Sequence, residues 1–397
     1  MNVAFLLGSG ASRPAGLPTT DDLTETILSG DGYARHPDGS YFKGQALYAH
    51  NGEPDSHVPE ISRFLRWLTC HASPYYDRAL GRMANYENLY YLVGQIYDEE
   101  VGNLDNLLVF DAQRDIRLKL CECAEHIAPM RRSLSISYVT SEILNYMASV
   151  VASKLDGQVG PSEYLSFLQD ALGVNTSAQL SVFTLNHDLL LERFLSSRNI
   201  PLIDGFGTPV NAVRYWNPRL FSSTDKGHVI LLKLHGSIRW FRFRSDGQDW
   251  WDERIGLPET GDIQHTRGPD GQMQRAVDSR PLMLIGTFNK IPEYTGSVFS
   301  DIFAEFRRRL VGVETLVVCG YGFGDKGING QLIEWLYALR GRRIVLVHPE
   351  PDELRAAARG AIRNKWDMWL SEGVLHLHRS RAEQVAWQDI VSEIGAS

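Results

Sequence analysis

The residues best suited to chemistry sit in a few short segments that follow apolar runs. Gly8-Ser9-Gly10-Ala11-Ser12 comes directly after Val3-Ala4-Phe5-Leu6-Leu7. Glycines there permit a tight turn, and a helix behind them would offer unbonded N–H groups to an anion such as a diphosphate. The pattern is no dehydrogenase fingerprint, because Arg13 stands where G-x-G-x-x-G needs a small residue, and it lacks the Gly-Lys-Ser/Thr of a P-loop. A plain turn in an α/β fold explains it equally well. Two further segments, Thr184-Leu185-Asn186-His187-Asp188 and Lys233-Leu234-His235-Gly236-Ser237, also end apolar runs. His235 is the side chain whose natural pKa suits base work near neutrality. Asn186 reads as a water-placing amide or a turn cap, and Asp188 as a ligand contact or a cap on the helix after it. His187 reads as a packing residue. Gly320, Gly322 and Gly324 form a second glycine turn, with Asp325 either a hydroxyl acceptor or a helix cap before Ile328.

These segments need a frame, and the apolar pattern supplies one. Short strands are expected at residues 3–7, 181–185, 228–234, 282–285, 314–319 and 343–347, with helical spacing at 302–310, 328–339 and 353–361. That alternation predicts an α/β protein with a doubly wound, Rossmann-like parallel sheet, whose carboxyl strand ends bind ligand. Residues 31–180 lack such strands and carry amphipathic runs instead, so they read as a large, mostly helical insertion. The sheet domain is then expected from 1–30 and 181–397. Thr19 and Asp22 stand as a capping box would place them. Residues 244–280 read as an irregular excursion.

Of 397 residues, 40 are basic and 48 acidic, giving a net charge of −8. That balance argues against direct nucleic-acid binding as the main task. Arg239-Trp240-Phe241-Arg242-Phe243-Arg244 does interleave cations and aromatics as single-strand binders do, but a strand with one buried face alternates in the same way. Four cysteines make no disulfide scaffold and suit a reducing compartment. No run approaches the ~20 apolar residues that span a bilayer, and the first residues do not resemble a signal peptide. A cytoplasmic protein is expected. No His/Asp/Glu/Cys group has recognisable metal-ligand spacing, so no metal is expected.

Taken together, the segments resemble the sirtuin superfamily. The matching residues are Gly8, Gly10 and Ser12, then Ala15, Gly16 and Pro18, then Asn186 and Asp188, then His235 and Gly236. The order matches too, over residues 1–28 and about 181–350. Departures point away from protein deacylation. The four-cysteine zinc ribbon is missing, with no cysteine between His235 and Cys319, and Thr19-Thr20-Asp21 replaces the family's D-F-R. Within the superfamily, Gly16-Leu17-Pro18-Thr19-Thr20, Leu234-His235-Gly236-Ser237 and Gly320-Tyr321-Gly322-Phe323-Gly324-Asp325 resemble the sirtuin-like NAD hydrolases of bacterial anti-phage defence. Tyr86-Glu87-Asn88 is similar to an acidic helix motif of their helical insertions.

The resemblance implies NAD+ as substrate, split into nicotinamide and ADP-ribose. It places the diphosphate on Gly8, Ser9, Gly10, Ala11 and Ser12 with Gly16 and Pro18 behind them, and Asn186 beside the nicotinamide ribose. His235 becomes the general base, with Asp188 on the nicotinamide amide or holding the loop. Gly320, Gly322, Gly324, Asp325 and Glu350 fall on the ribose and adenosine side, with Thr287 and Asn289 as weaker candidates. It further implies a homo-oligomer and, in some systems, a HerA-like hexameric ATPase partner. An NAD-dependent deacylase and a non-catalytic sensing scaffold are the rival readings.

Overall fold

The computed structural model describes residues 2–37, 39–45, 55–103, 113–127, 135–157, 159–174, 179–245, 247, 249, 252–277, 280–287 and 290–395. Its contacts group into two compact units. One comprises residues 1–17, 156–284 and 290–397, and the other residues 18–155 and 285–289.

The first unit is built on a seven-stranded parallel sheet in the order Leu375–His378, Arg343–Val347, Thr315–Cys319, Val3–Leu7, Leu180–Thr184, Val229–Lys233, Leu202–Ile203. The strands Val3–Leu7, Leu180–Thr184, Val229–Lys233 and Thr315–Cys319 are buried at every position. Continuous apolar runs are what a sheet covered on both faces requires. Helices such as Ser297–Val311 and Lys326–Ala338 flank it, with Phe306 of the former edge-on to Phe183 at 4.7 Å between ring centres. The fold is thus α/β and Rossmann-like, as the alternation implies. In register, Leu7 sits opposite both Cys319 and Thr184, so the segments beginning at Gly8, Leu185 and Gly320 leave one edge together. The chain leaves Val3–Leu7 toward Leu180–Thr184 on one side and returns to Thr315–Cys319 on the other, which makes this the topological switch point where such sheets bind ligands.

Two sequence expectations for this unit differ from the structure, and one edge strand had none. Residues 282–285 form no sheet strand. They brace the 235–237 turn instead: Ser237 N–H donates to Leu282 O at 3.0 Å and Leu284 N–H to His235 O at 2.8 Å. The excursion at 244–280 is ordered into much of a five-stranded antiparallel sheet: Thr266–Arg267, Met273–Ala276, Phe241–Ser245, Arg254–Pro258, Val213–Tyr215. Its strands escape a hydropathy reading because one face is polar. In Phe241–Ser245 the residues Phe241 and Phe243 are buried while Arg242 and Arg244 are half-buried, so the alternation there is that of a strand. Finally, Leu375–His378 adds an edge strand whose two histidines hide it.

The second unit is mostly helical. Its long helices are His57–Leu80, Tyr86–Glu100, Arg114–Ile127 and Ile136–Leu155, beside a small hairpin of Tyr33–Arg35 and Tyr41–Lys43. The helix Thr20–Ser29 begins with the capping box that Thr19 and Asp22 spell out. It packs with these helices, and Tyr146 donates its hydroxyl to Ile27 O at 2.8 Å. The unit therefore starts at residue 18, where the apolar pattern placed a boundary after residue 30. Asn88 of the Tyr86-Glu87-Asn88 motif closes a second capping box with Asn85.

Candidate functional site

All of the site's chemistry described below lies in the sheet unit. The two glycine turns meet back to back. Gly8 N–H donates to Cys319 O and Gly10 N–H to Gly320 O, both at 3.0 Å. Gly320 has a φ of +69°, and a Cβ there would stand 2.1 Å from the nitrogen of Ala11. Only glycine fits such a left-handed, crowded position. After the loop the chain makes two short 3-10 turns, Ser9–Ala11 and Arg13–Ala15, ended by Gly16 at φ +78°. The helix behind the loop begins at Thr20, as the capping box of Thr19 and Asp22 implies, so these two turns stand between it and the glycines in the sequence. Ala11 and Ser12 donate their N–H groups to Gly8 O and Ser9 O at 2.9 and 3.0 Å. Gly8, Gly10, Ala11 and Ser12 therefore have amides already engaged, which corrects the picture of an open backbone cradle for phosphate.

Beside these turns lies a cleft of about 560 Å³. Ser9, Gly10, Gly320, Gly322 and Glu350 line it, and so do Arg13 and Arg381. Gly8, Ala11 and Ser12 support the loop without lining the cleft. Gly16, Gly324 and Asp325 do not line it either, and Pro18 belongs to the helical unit, as does Thr287. Asn289 lies outside the described residues.

Asn186 links the second segment to the loop. Its Nδ2 donates to Gly8 O at 3.0 Å and to Ser12 Oγ at 2.8 Å. The Ser12 hydroxyl in turn donates to Asp188 Oδ2 at 2.9 Å, while Asp188 Oδ1 accepts Leu190 N–H at 2.9 Å where the helix Leu190–Ser197 begins. Both carboxylate oxygens of buried Asp188 are thus engaged in holding the loop and the start of that helix. Asn186 is half-buried and keeps its carboxamide oxygen as an acceptor. Buried Lys233 fixes the same turn by donating to Asp188 O and pairing with Glu192 at 2.9 Å.

His235 is buried in a closed cluster. Its Nε2 lies 3.1 Å from Asp325 Oδ2 and 2.8 Å from the Tyr294 hydroxyl, and that hydroxyl lies 2.9 Å from the same carboxylate oxygen. Asp325 also receives Ile328 N–H on Oδ1 at 2.9 Å, so it caps the helix Lys326–Ala338 and holds His235 at once. Burial alone would raise the Asp325 carboxyl. The hydrogen bond and charge of His235, the charge of buried Lys290 and the Ile328 amide outweigh it and hold Asp325 well below the usual carboxylate range. His187, whose ring centre is 6.2 Å from that of His235, is driven the other way. Burial first, then a proton on neighbouring His235 and the charges of Lys290 and Lys233, push it well below an ordinary histidine. It is a neutral packing imidazole at physiological pH.

Tyr294 and Lys290 carry no motif, and their 59- and 55-residue separations from His235 leave no local signal in the sequence. The segment from Gly320 to Asp325 joins the two halves of the site. Its first residues line the cleft and its last holds the histidine. Among the described residues, no group of three or more His, Cys, Asp or Glu side chains could hold a metal ion.

Sheet order, switch-point cleft and histidine cluster define a doubly wound α/β protein with its site at the carboxyl strand edge. Within it, residues 180–369 match the SIR2-like domain family. Solved structures that the chain matches include a Sir2 homologue in complex with NAD, at 14% identity and a TM-score of 0.39, covering 99% of this chain and 90% of that one. A mutant Sir2 homologue with ADP-ribose gives 11% and 0.35, covering 99% and 92%. A Sir2 enzyme bound to a propionylated peptide gives 11% and 0.32, covering 100% and 94%. No curated protein matches the chain.

Proposed function

We propose that the protein is an NAD+ glycohydrolase that releases nicotinamide and ADP-ribose. The observation that carries this reading is the buried His235–Asp325–Tyr294 cluster, joined by one short segment to a cleft at the sheet's switch point. The SIR2-like match over residues 180–369 supports it. NAD+ supplies the scissile bond. The C1′–nitrogen bond of the nicotinamide ribose breaks with its electron pair leaving on nicotinamide, and a water oxygen bonds to C1′ and gives up one proton.

The chain's own groups suit that balance. His235 accepts the proton, and the ionised Asp325 beside it offsets the resulting charge, a combination worth about 10²–10⁴-fold in rate. Asn186, held by its amide nitrogen to Gly8 and Ser12, presents its carboxamide oxygen to the water. Glu350 on the cleft faces the adenosine ribose, and the glycine turns let the dinucleotide approach the backbone.

By the sequence resemblance, the biological role is anti-phage defence in the cytoplasm, with activity released by homo-oligomer assembly or by a HerA-like ATPase. Purified protein incubated with NAD+ and followed by chromatography is expected to yield nicotinamide and ADP-ribose in equal amounts. His235→Ala and Asn186→Ala abolish release while leaving the folded state intact by circular dichroism. Undiminished turnover in both variants would overturn the site. An acyl-lysine peptide added to the same assay distinguishes a deacylase, which would form an acylated ADP-ribose product.

A further inference from the structure

We propose that Arg13 and Arg381 clamp the diphosphate of the bound dinucleotide, taking the part that loop amides play in glycine-rich nucleotide sites. The proposal rests on the dinucleotide reading of the cleft and adds the groups that neutralise the ligand's charge.

A diphosphate must be met by donors, and the loop has few left. The amides of Gly8, Gly10, Ala11 and Ser12 all donate to protein carbonyls at 2.9–3.0 Å, and position 14 is a proline without an N–H. No α-helix opens directly behind the loop to add its dipole, since residues 9–15 form 3-10 turns. Among the cleft-lining residues of the two turns, Ser9, Arg13 and Gly322 keep amides with no acceptor among the described bonds, too few to neutralise a doubly charged group. Two guanidinium groups line the same cleft. Arg13 leaves the glycine loop, and Arg381 follows the edge strand Leu375–His378. Both are exposed, and neither side chain has an ion pair among the described residues. Guanidinium offers five donors in a fixed fork that matches phosphate oxygens two at a time. Glu350 and Glu383 share the lining, so an anion is held only where an arginine reaches it. That mixed charge favours a ligand whose phosphates and hydroxyls are spaced along the cleft over a free polyanion.

The test is calorimetric titration of the full-length protein with ADP-ribose, ADP and adenosine. Arg13→Gln and Arg381→Gln are each expected to weaken ADP-ribose by about ten- to a hundred-fold, as loss of a charge-assisted contact does, and to leave adenosine unchanged. Raising salt should weaken ADP-ribose in the parent protein and have less effect in the double variant. Equal ADP-ribose affinity in parent and double variant would overturn the clamp while sparing the cleft. No ADP-ribose binding to the parent protein would overturn the dinucleotide reading and the clamp with it. ADP binding more tightly than ADP-ribose, with both lost in the double variant, upholds the clamp and names a nucleoside diphosphate as its ligand. Because both side chains are exposed, unchanged melting temperatures are expected and exclude misfolding as the cause.

Discussion

Asp325 receives contacts from three directions: the imidazole of His235, the hydroxyl of Tyr294 and the amide of Ile328. Replacing it with Asn keeps the size and an acceptor for the Ile328 amide but removes the carboxylate charge beside His235. NAD+ turnover in Asp325→Asn should fall by about 10²–10⁴-fold, read as kcat with KM little changed. Tyr294→Phe should lower kcat less and shift the pH profile of kcat, because the hydroxyl positions the pair without itself taking the proton. The depressed carboxyl also has a stability consequence. An Asp held low in the folded state stabilises the protein above its unfolded value, near 3.9, and that contribution drains away as pH falls below about 4. Urea titrations from pH 6 to 3 should show the parent protein losing stability more steeply on acidification than Asp325→Asn. Equal slopes would mean that the pair does not hold the carboxyl low.

At the scale of elements, the paired glycine turns govern. Gly320→Ala adds a methyl group 2.1 Å from a backbone nitrogen at a φ of +69°. The positive φ costs about 1 kcal/mol or more and the crowding a further 1–3 kcal/mol or so, so unfolding midpoints should drop sharply. Gly322→Ala, with open space around its Cβ, should not show this loss. Much of this frame was readable beforehand. The runs at 3–7, 229–233 and 343–347 are apolar at nearly every residue, and a doubly covered sheet demands that. The residues after those runs were therefore legible as edge residues, His235 among them, and Asn186 after the run at 181–185 likewise. Hydropathy carries no such information for the antiparallel strands between 213 and 276, where half-buried or exposed arginines alternate with the buried face and one buried position is Gln274. Nor could it show that the amides after Leu7 bond to the chain itself, since that depends on the partner turn at Gly320, more than 300 residues away.

On the scale of the whole chain, a net charge of −8 spread over 397 residues fits a protein that acts on a small cofactor. The helical unit of residues 18–155 and 285–289 has no part in the chemistry proposed here and is the natural candidate for assembly. Light scattering is expected to give a mass at a multiple of 44.7 kDa, with NAD+ turnover rising with protein concentration; full activity in a dilute monomer would sink the idea that assembly releases it. No described helix is long and apolar enough to cross a membrane. One feature of the sheet has a practical side. The matched stretch begins at residue 180, yet Val3–Leu7 is the strand that bonds to both Leu180–Thr184 and Thr315–Cys319. A fragment trimmed to 180–369 would lose its middle strand and bare two apolar edges to neighbouring chains, which is a recipe for aggregation. Anyone shortening the protein must carry the first few residues along or lose the sheet from its centre outward.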